Sequence, residues 1–264
     1  MNAEHVAAPP VAEDLKLSLV FGVLGAIAVA ALFPYLLATM PQVLAKARVP
    51  LPALILVQSL QALVLLGLLA FAGLRMGHAT GLGSPWARAL LFRRPRTSQP
   101  WWSAIALGVL VALMVIGLSP LFDARMPIPL QPIPATPPGE VSWAGFLASF
   151  YGGIGEEVQL RLFLMTLIAW TAAKLMKRAP SPTVMWTAVI IAALVFGAGH
   201  LPAAAQIWPL DAIVVVRTVV LNSLSGLVFG WLYWKRGFES AMLGHFSADL
   251  VLHVAAPLVT GAMA

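Results

Sequence analysis

The chain has 264 residues, 60% hydrophobic and only 10% charged, with sixteen lysines and arginines against ten acidic residues. Soluble domains carry about a quarter charged residues, so this composition excludes an ordinary soluble fold and points to a membrane protein. The net charge of +6 lies in short loops between apolar runs, which argues against a nucleic-acid partner, and the absence of cysteine excludes disulfides, thiolate metal sites and a cysteine nucleophile.

In chain order, residues 1–16 read as a polar N-terminal tail. The first apolar run, Leu17–Leu37, exceeds the roughly 7–15 residues of a signal-peptide core and is expected to be an uncleaved first span. Further runs near or above about 20 residues follow at Leu51–Leu74, Trp101–Phe122, Val141–Leu175, Thr183–Leu201, Pro209–Trp234 and Phe238–Val259. The expected fold is therefore all-α, a polytopic transmembrane helical bundle of about seven spans (seven or eight). The fourth run is longer than a bilayer requires and is expected to tilt or break near Gly152, Gly153 and Gly155. Trp101, Trp102, Trp208 and Trp234 stand at span ends, where amphipathic rings suit the membrane interface.

Six prolines between positions 127 and 138 predict an extended linker over 126–140. It divides N-terminal transmembrane helices (17–125) from a C-terminal transmembrane domain (141–260) that carries the chemistry. Loops holding Arg75, Arg88, Arg93, Arg94 and Arg96, then Lys174, Lys177 and Arg178, then Lys235 and Arg236 fall on one side together with Lys16. Only Lys46, Arg48 and Arg125 fall on the other. Eleven positives against three predict a cytoplasmic N-terminus, with the plasma (inner) membrane as the expected location. Arg161 and Arg217 lie inside spans.

An ionisable side chain at mid-bilayer costs at least about 2.5–3.5 kcal/mol, so each one is a functional candidate. Glu4, Glu13, Asp14, Asp123 and Glu140 fall in tails or loops, and Asp211 and Glu239 near span ends. That leaves Glu156, Glu157 and Asp249 as deep carboxylates, with His200, His245 and His253 as deep histidines. Glu157 and Arg161 are four apart, on one helix face and in the favoured order for an ion pair. Glu156 is rotated about 100° from Glu157 and is left without a local cation, as suits a general base. Phe196 and His200 share a face of the fifth span, and His245, Asp249 and His253 form a polar stripe on the last. Each motif taken alone also has a structural reading: an ion-pair cluster for Glu156, Glu157 and Arg161, an interfacial hydrogen bond for His200, and a self-satisfied buried pair for His245 and Asp249.

The ordered set Glu156-Glu157-x-x-x-Arg161, Phe196-x-x-x-His200 and His245-x-x-x-Asp249 resembles the CPBP family, membrane proteases that include type II CAAX prenyl endopeptidases and bacteriocin-immunity relatives. Gly226-x-x-x-Gly230 followed by Tyr233-Trp234-Lys235-Arg236-Gly237 is similar to the segment before that family's last motif. The resemblance runs roughly from Val141 to Val254. It implies an intramembrane endopeptidase, glutamate- or metallo-type, acting on a membrane-associated peptide or protein, with prenylation left open. Glu156 would activate water with help from His200, His245 and Asp249 would stabilise the oxyanion, and Glu157, Arg161 and Phe196 would support them. Family members often carry asparagine where this chain has Asp249. An ionised aspartate cannot donate a hydrogen bond. It must then be protonated, orient His245, or join His200 and His245 as ligands to a divalent metal such as zinc.

The span bounds raise a difficulty. His200 stands about 17 residues from the inner end of its run and His245 about seven, a depth difference of roughly 15 Å at 1.5 Å per residue. The favoured resolution is a fifth helix that begins in the cytoplasm after Pro180, with Ser181 as its N-cap. Other classes also fit parts of the sequence. Glu156, Arg161, Arg217 and Asp249 could line the path of a transporter or proton channel, although no two-fold repeat accompanies them. A non-catalytic immunity or scaffold protein is a third reading. Ser223-Leu224-Ser225-Gly226 resembles a rhomboid serine turn only weakly and suits helix packing better.

Overall fold

The computed structural model describes residues 9–96 and 98–261, and among these every regular element is a helix. Glu4 and the rest of 1–8 lie outside the described residues. Seven helices are long and apolar enough to cross a membrane, each corresponding to one expected run. They are α1 Val11–Thr39, α2 Leu51–Gly77, α3 Trp101–Asp123, α4 Pro138–Met176, α5 Pro182–Ala204, α6 Ala212–Arg236 and α7 Phe238–Thr260.

Local chemistry marks several boundaries. The Ser181 hydroxyl accepts the Val184 N–H at 3.4 Å, and Pro182 occupies the first turn of α5, as expected. Asp211 caps α6 in the same way, accepting from Val214 at 2.9 Å. The bend expected near Gly152 takes another form. α4 continues without a break but is wound as π-helix over Tyr151–Glu156 and again over Val158–Met165. α7 does the same over Leu250–Ala255.

Glu13 and Asp14 correct the sequence reading, because both lie in α1 and not in a loose tail. The Asp14 side chain is fully buried, at 2.8 Å from Arg75 and 2.9 Å from His78, and it also accepts from Arg88. Three nitrogen partners compensate its desolvation, which a lone buried carboxylate could not survive. Nearby, Glu239 accepts from the Ser84 hydroxyl at 2.6 Å and the Ala87 N–H at 2.7 Å, capping the short helix Pro85–Leu91. One end of the bundle is thus tied together by carboxylates.

α4 runs through the bundle, packing against α1, α2, α5, α6 and α7. Close approach relies on small residues, the usual device where lipid removes any hydrophobic drive between helices. Gly226 faces Ala193 and Gly230 faces Val189, so the Gly-x-x-x-Gly pair joins α6 to α5 inside the bundle. The Pro-rich linker is pinned at two points. The Leu130 N–H donates to Ile207 and the Thr136 hydroxyl to Ala38, both at 2.7 Å.

Gly108 brings α3 onto the Gly244 carbonyl of α7, where a Cβ would collide, whereas Gly117 further along α3 faces open space. Gly108→Val is expected to lower the thermal midpoint of the detergent-purified protein, by the equivalent of about 1–3 kcal/mol of overpacking. Gly117→Ala should leave it unchanged or raise it slightly, as about 0.5–1 kcal/mol of helix propensity allows.

Candidate active site

The site is built where the π-wound part of α4 packs on the α-helical first half of α7, Phe238–Asp249. Glu157 and Arg161 are fully buried one turn apart, with Arg161 Nη1 2.9 Å from Glu157 Oε1. Arg161 Nη2 donates to the Gly226 carbonyl at 3.1 Å, so the packing glycine of α6 also serves the site. The guanidinium lies over two rings, with its carbon 4.8 Å from the centre of Phe196 and 5.4 Å from that of Phe229. Cation–π contact of this kind favours a desolvated cation.

Glu157 holds more than Arg161. The same Oε1 lies 2.8 Å from His245 Nδ1. An ionised carboxylate oxygen only accepts, so Nδ1 carries the proton and Nε2 is the ring atom presented to the rest of the site. Around Nε2 stand Glu156 Oε2 and Asp249 Oδ1, each at 3.6 Å. The imidazole is stacked on Phe229, with ring centres 4.4 Å apart and planes within 18°. It is therefore fixed by one hydrogen bond and one ring face. Glu156 is the more accessible carboxylate, with 22% of its side chain exposed against none for Glu157.

His200 caps the long segment Pro182–Gly199 of α5 and lines the same cavity of about 290 Å³ as Glu156, His245, Asp249 and His253. Its Nδ1 lies 2.8 Å from the Phe196 carbonyl, which can only accept, so Nδ1–H is committed there and Nε2 is free. The Phe196 ring packs edge-on against both histidines, with centre distances of 4.8 Å to His200 and 5.5 Å to His245. α5 begins at its Ser181 cap, its Trp186 packs on Trp234 near the end of α6, and its far end still reaches the cavity through Phe196 and His200.

Of the residues singled out from sequence, Glu156, His245 and Asp249 converge directly, and Glu157, Arg161 and Phe196 lie beneath and beside them. His200 stands across the cavity with Phe196 between. Among the described residues no group of three or more histidines and carboxylates is placed to hold a metal ion. Ser223 donates to the Ala193 carbonyl at 3.0 Å, a packing role and not that of a nucleophile. Arg217 pairs with Asp123 at 2.9 Å, away from this cluster.

Sequence reasoning passed over three contributors. Phe229 sits three residues beyond Gly226 in the quoted segment, but nothing in its type announces a platform for His245. Gly152 was noted as a helix breaker. Its structural use is different, since a Cβ there would collide with the Asp249 carboxyl and press on His245 Nε2. Tyr35 of α1 lies 3.1 Å from His253 Nδ1, and a lone tyrosine near a span end gives no signal at all.

Seven apolar helices with carboxylates and histidines gathered around an internal cavity define the class as a polytopic membrane protein. Residues 138–251 match the family model of type II CAAX prenyl endopeptidase Rce1-like proteins. That match supports membership of the CPBP family of membrane proteases for this stretch, in agreement with the resemblance carried by the three motifs. The match supports a CAAX-type intramembrane protease in general. No curated protein and no solved structure matches the chain.

Removing one partner of a fully buried ion pair leaves the other charge uncompensated. Arg161→Met is expected to destabilise the protein by about 3–5 kcal/mol. Glu156→Gln, at a partly exposed site with no guanidinium partner, should stay within about 1 kcal/mol of wild type. Thermal unfolding of both variants in detergent checks the contrast, and equal midpoints would contradict it.

Proposed function

We propose that this chain is an intramembrane endopeptidase that hydrolyses a peptide bond of a membrane-associated peptide or protein. The observation that carries this reading is the convergence of Glu156, His245 and Asp249 at one wall of a cavity within a stretch of protease family. Glu156 is the accessible carboxylate, and the buried cation beside it is already engaged by Glu157. In this reading Glu156 accepts a proton from water as the water oxygen attacks the scissile carbonyl. The carbonyl π electrons move to its oxygen, giving a tetrahedral oxyanion. His245, steered by Glu157, presents Nε2 toward that oxygen. A proton on Nε2, or one shared with Asp249, stabilises the charge. Glu156 then returns its proton to the leaving amine as the C–N bond breaks, so no covalent acyl-enzyme is needed. His200, with Nδ1–H held by Phe196, offers Nε2 as a second acceptor for the water.

The Asp249 carboxyl must either carry a proton or act through His245, because an ionised carboxylate cannot donate to an oxyanion. No step is routed through a metal. The chain's N-terminus is assigned to the cytoplasm of a plasma (inner) membrane, supported by the lysine and arginine asymmetry.

Cleavage of a quenched peptide library, with prenylated and unprenylated members, tests this reading in proteoliposomes. Glu156→Gln is expected to lower kcat by about 10²–10⁴-fold while leaving the fold intact. His200→Ala and a chelator arm run beside it, the latter reporting directly on metal dependence. Equal turnover by wild type and Glu156→Gln would remove the assignment. Ion flux without cleavage would favour a transporter, and binding without turnover a scaffold.

A further inference from the structure

Asp249 is the residue of the site with the least visible support. Its carboxyl lies 3.6 Å from His245 Nε2 and 4.0 Å from His253 Nε2, both ion-pair and not hydrogen-bond distances. An aspartate carboxylate brings no donor of its own, so a fixed orientation requires a neighbour that donates to it. On its own helix His253 stands one turn further along, with its ring at the cavity wall.

What holds His253 comes from outside the family stretch. Tyr35, near the end of α1, places its hydroxyl 3.1 Å from His253 Nδ1, and the two rings meet edge-on with centres 5.3 Å apart. Tyr35 follows Pro34, which removes one backbone N–H from α1, and the Thr39 hydroxyl donates to the Tyr35 carbonyl at 2.7 Å. The backbone around the tyrosine is thus anchored. α4 approaches from the other side. Gly145 lets it lie against the His253 carbonyl, and the Ser142 hydroxyl donates to the Val254 carbonyl at 2.9 Å.

We propose that Tyr35 and His253 are positioning residues for the site. The Tyr35 hydroxyl donates to His253 Nδ1, which leaves the ring proton on Nε2 and turns that N–H toward the Asp249 carboxyl, holding it beside His245. A chain Tyr35–His253–Asp249–His245 then links the first transmembrane helix to the catalytic centre. It suits the aspartate of this chain in particular, because an asparagine at 249 would carry amide donors of its own. The inference rests on the protease reading for its kinetic consequence, but not for its geometry.

Two readouts test it. In ¹⁵N-histidine-labelled full-length protein in micelles, His253 is expected to show an unprotonated, hydrogen-bonded Nδ1 and a protonated Nε2. Tyr35→Phe, which keeps the ring contact, should scramble that tautomer. In the cleavage assay Tyr35→Phe is expected to lower kcat about tenfold with KM unchanged, the scale of one lost hydrogen bond. His253→Gln should do the same, and the double variant should be no worse than the poorer single one. His253 resonances unmoved by Tyr35→Phe, or losses that multiply in the double variant, would overturn the proposal. So would wild-type kcat in both single variants when Glu156→Gln is inactive. Cleavage that is indifferent to Glu156→Gln would instead remove the protease reading, and the tautomer measurement alone would then decide the positioning role.

Discussion

The site depends on a single buried carboxylate. Glu157 neutralises Arg161 at 2.9 Å and fixes the tautomer of His245 at 2.8 Å with the same oxygen. A guanidinium and a carboxylate inside a membrane bundle are tolerable only as partners, since either one alone would carry an uncompensated desolvation penalty. The pair needs further support, and receives it from the Gly226 carbonyl and the faces of Phe196 and Phe229. Those groups come from α5 and α6, so the requirement to satisfy one cation draws both helices against α4. Fold and site are coupled at this point, and the polar groups that face the cavity are arranged on top of it.

The division of labour between adjacent glutamates follows from this. Glu157 is hidden and engages two nitrogen partners through Oε1, while its Oε2 is buried without a hydrogen-bond partner. Glu156, the residue before it, is partly exposed and stands 3.6 Å from His245 Nε2. Two identical side chains thus meet opposite surroundings through orientation alone.

Much of this was legible in residue order. The spans were found because hydropathy and length are set by the bilayer itself, and the Glu157–Arg161 pair because four residues close one helical turn. The Ser181 cap was found because its chemistry is local. Asp14 was misread because its partners, Arg75, His78 and Arg88, lie more than sixty residues away, and a carboxylate next to an apolar run looks like a tail without them. Tyr35 and Phe229 were invisible for a similar reason. Their roles depend on which helices touch, and aromatic residues are common in spans whatever their function. The His200 depth difficulty came from treating every helix as starting at one membrane plane. In the bundle, the Phe196 ring bridges the gap, packing edge-on against both His200 and His245.

The winding of α4 and α7 was also beyond sequence, because π geometry is not a property of residue type. Its location is informative nonetheless. The wide turns cover Tyr151–Glu156 and Val158–Met165 in α4 and Leu250–Ala255 in α7, flanking the carboxylates and histidines of the site on both helices that supply most of them. A π turn loosens the i→i+4 ladder and shifts the direction of each side chain relative to an α-helix, and such turns recur at functional positions. Here the wide segment puts Gly152 against Asp249 while Glu156 still reaches toward His245. A strictly α-helical α4 would change the angle between those two positions, and with it the side of the cavity on which the accessible carboxylate stands. The less regular winding is therefore where this bundle departs from a plain packing scaffold, beside its clustered carboxylates and histidines.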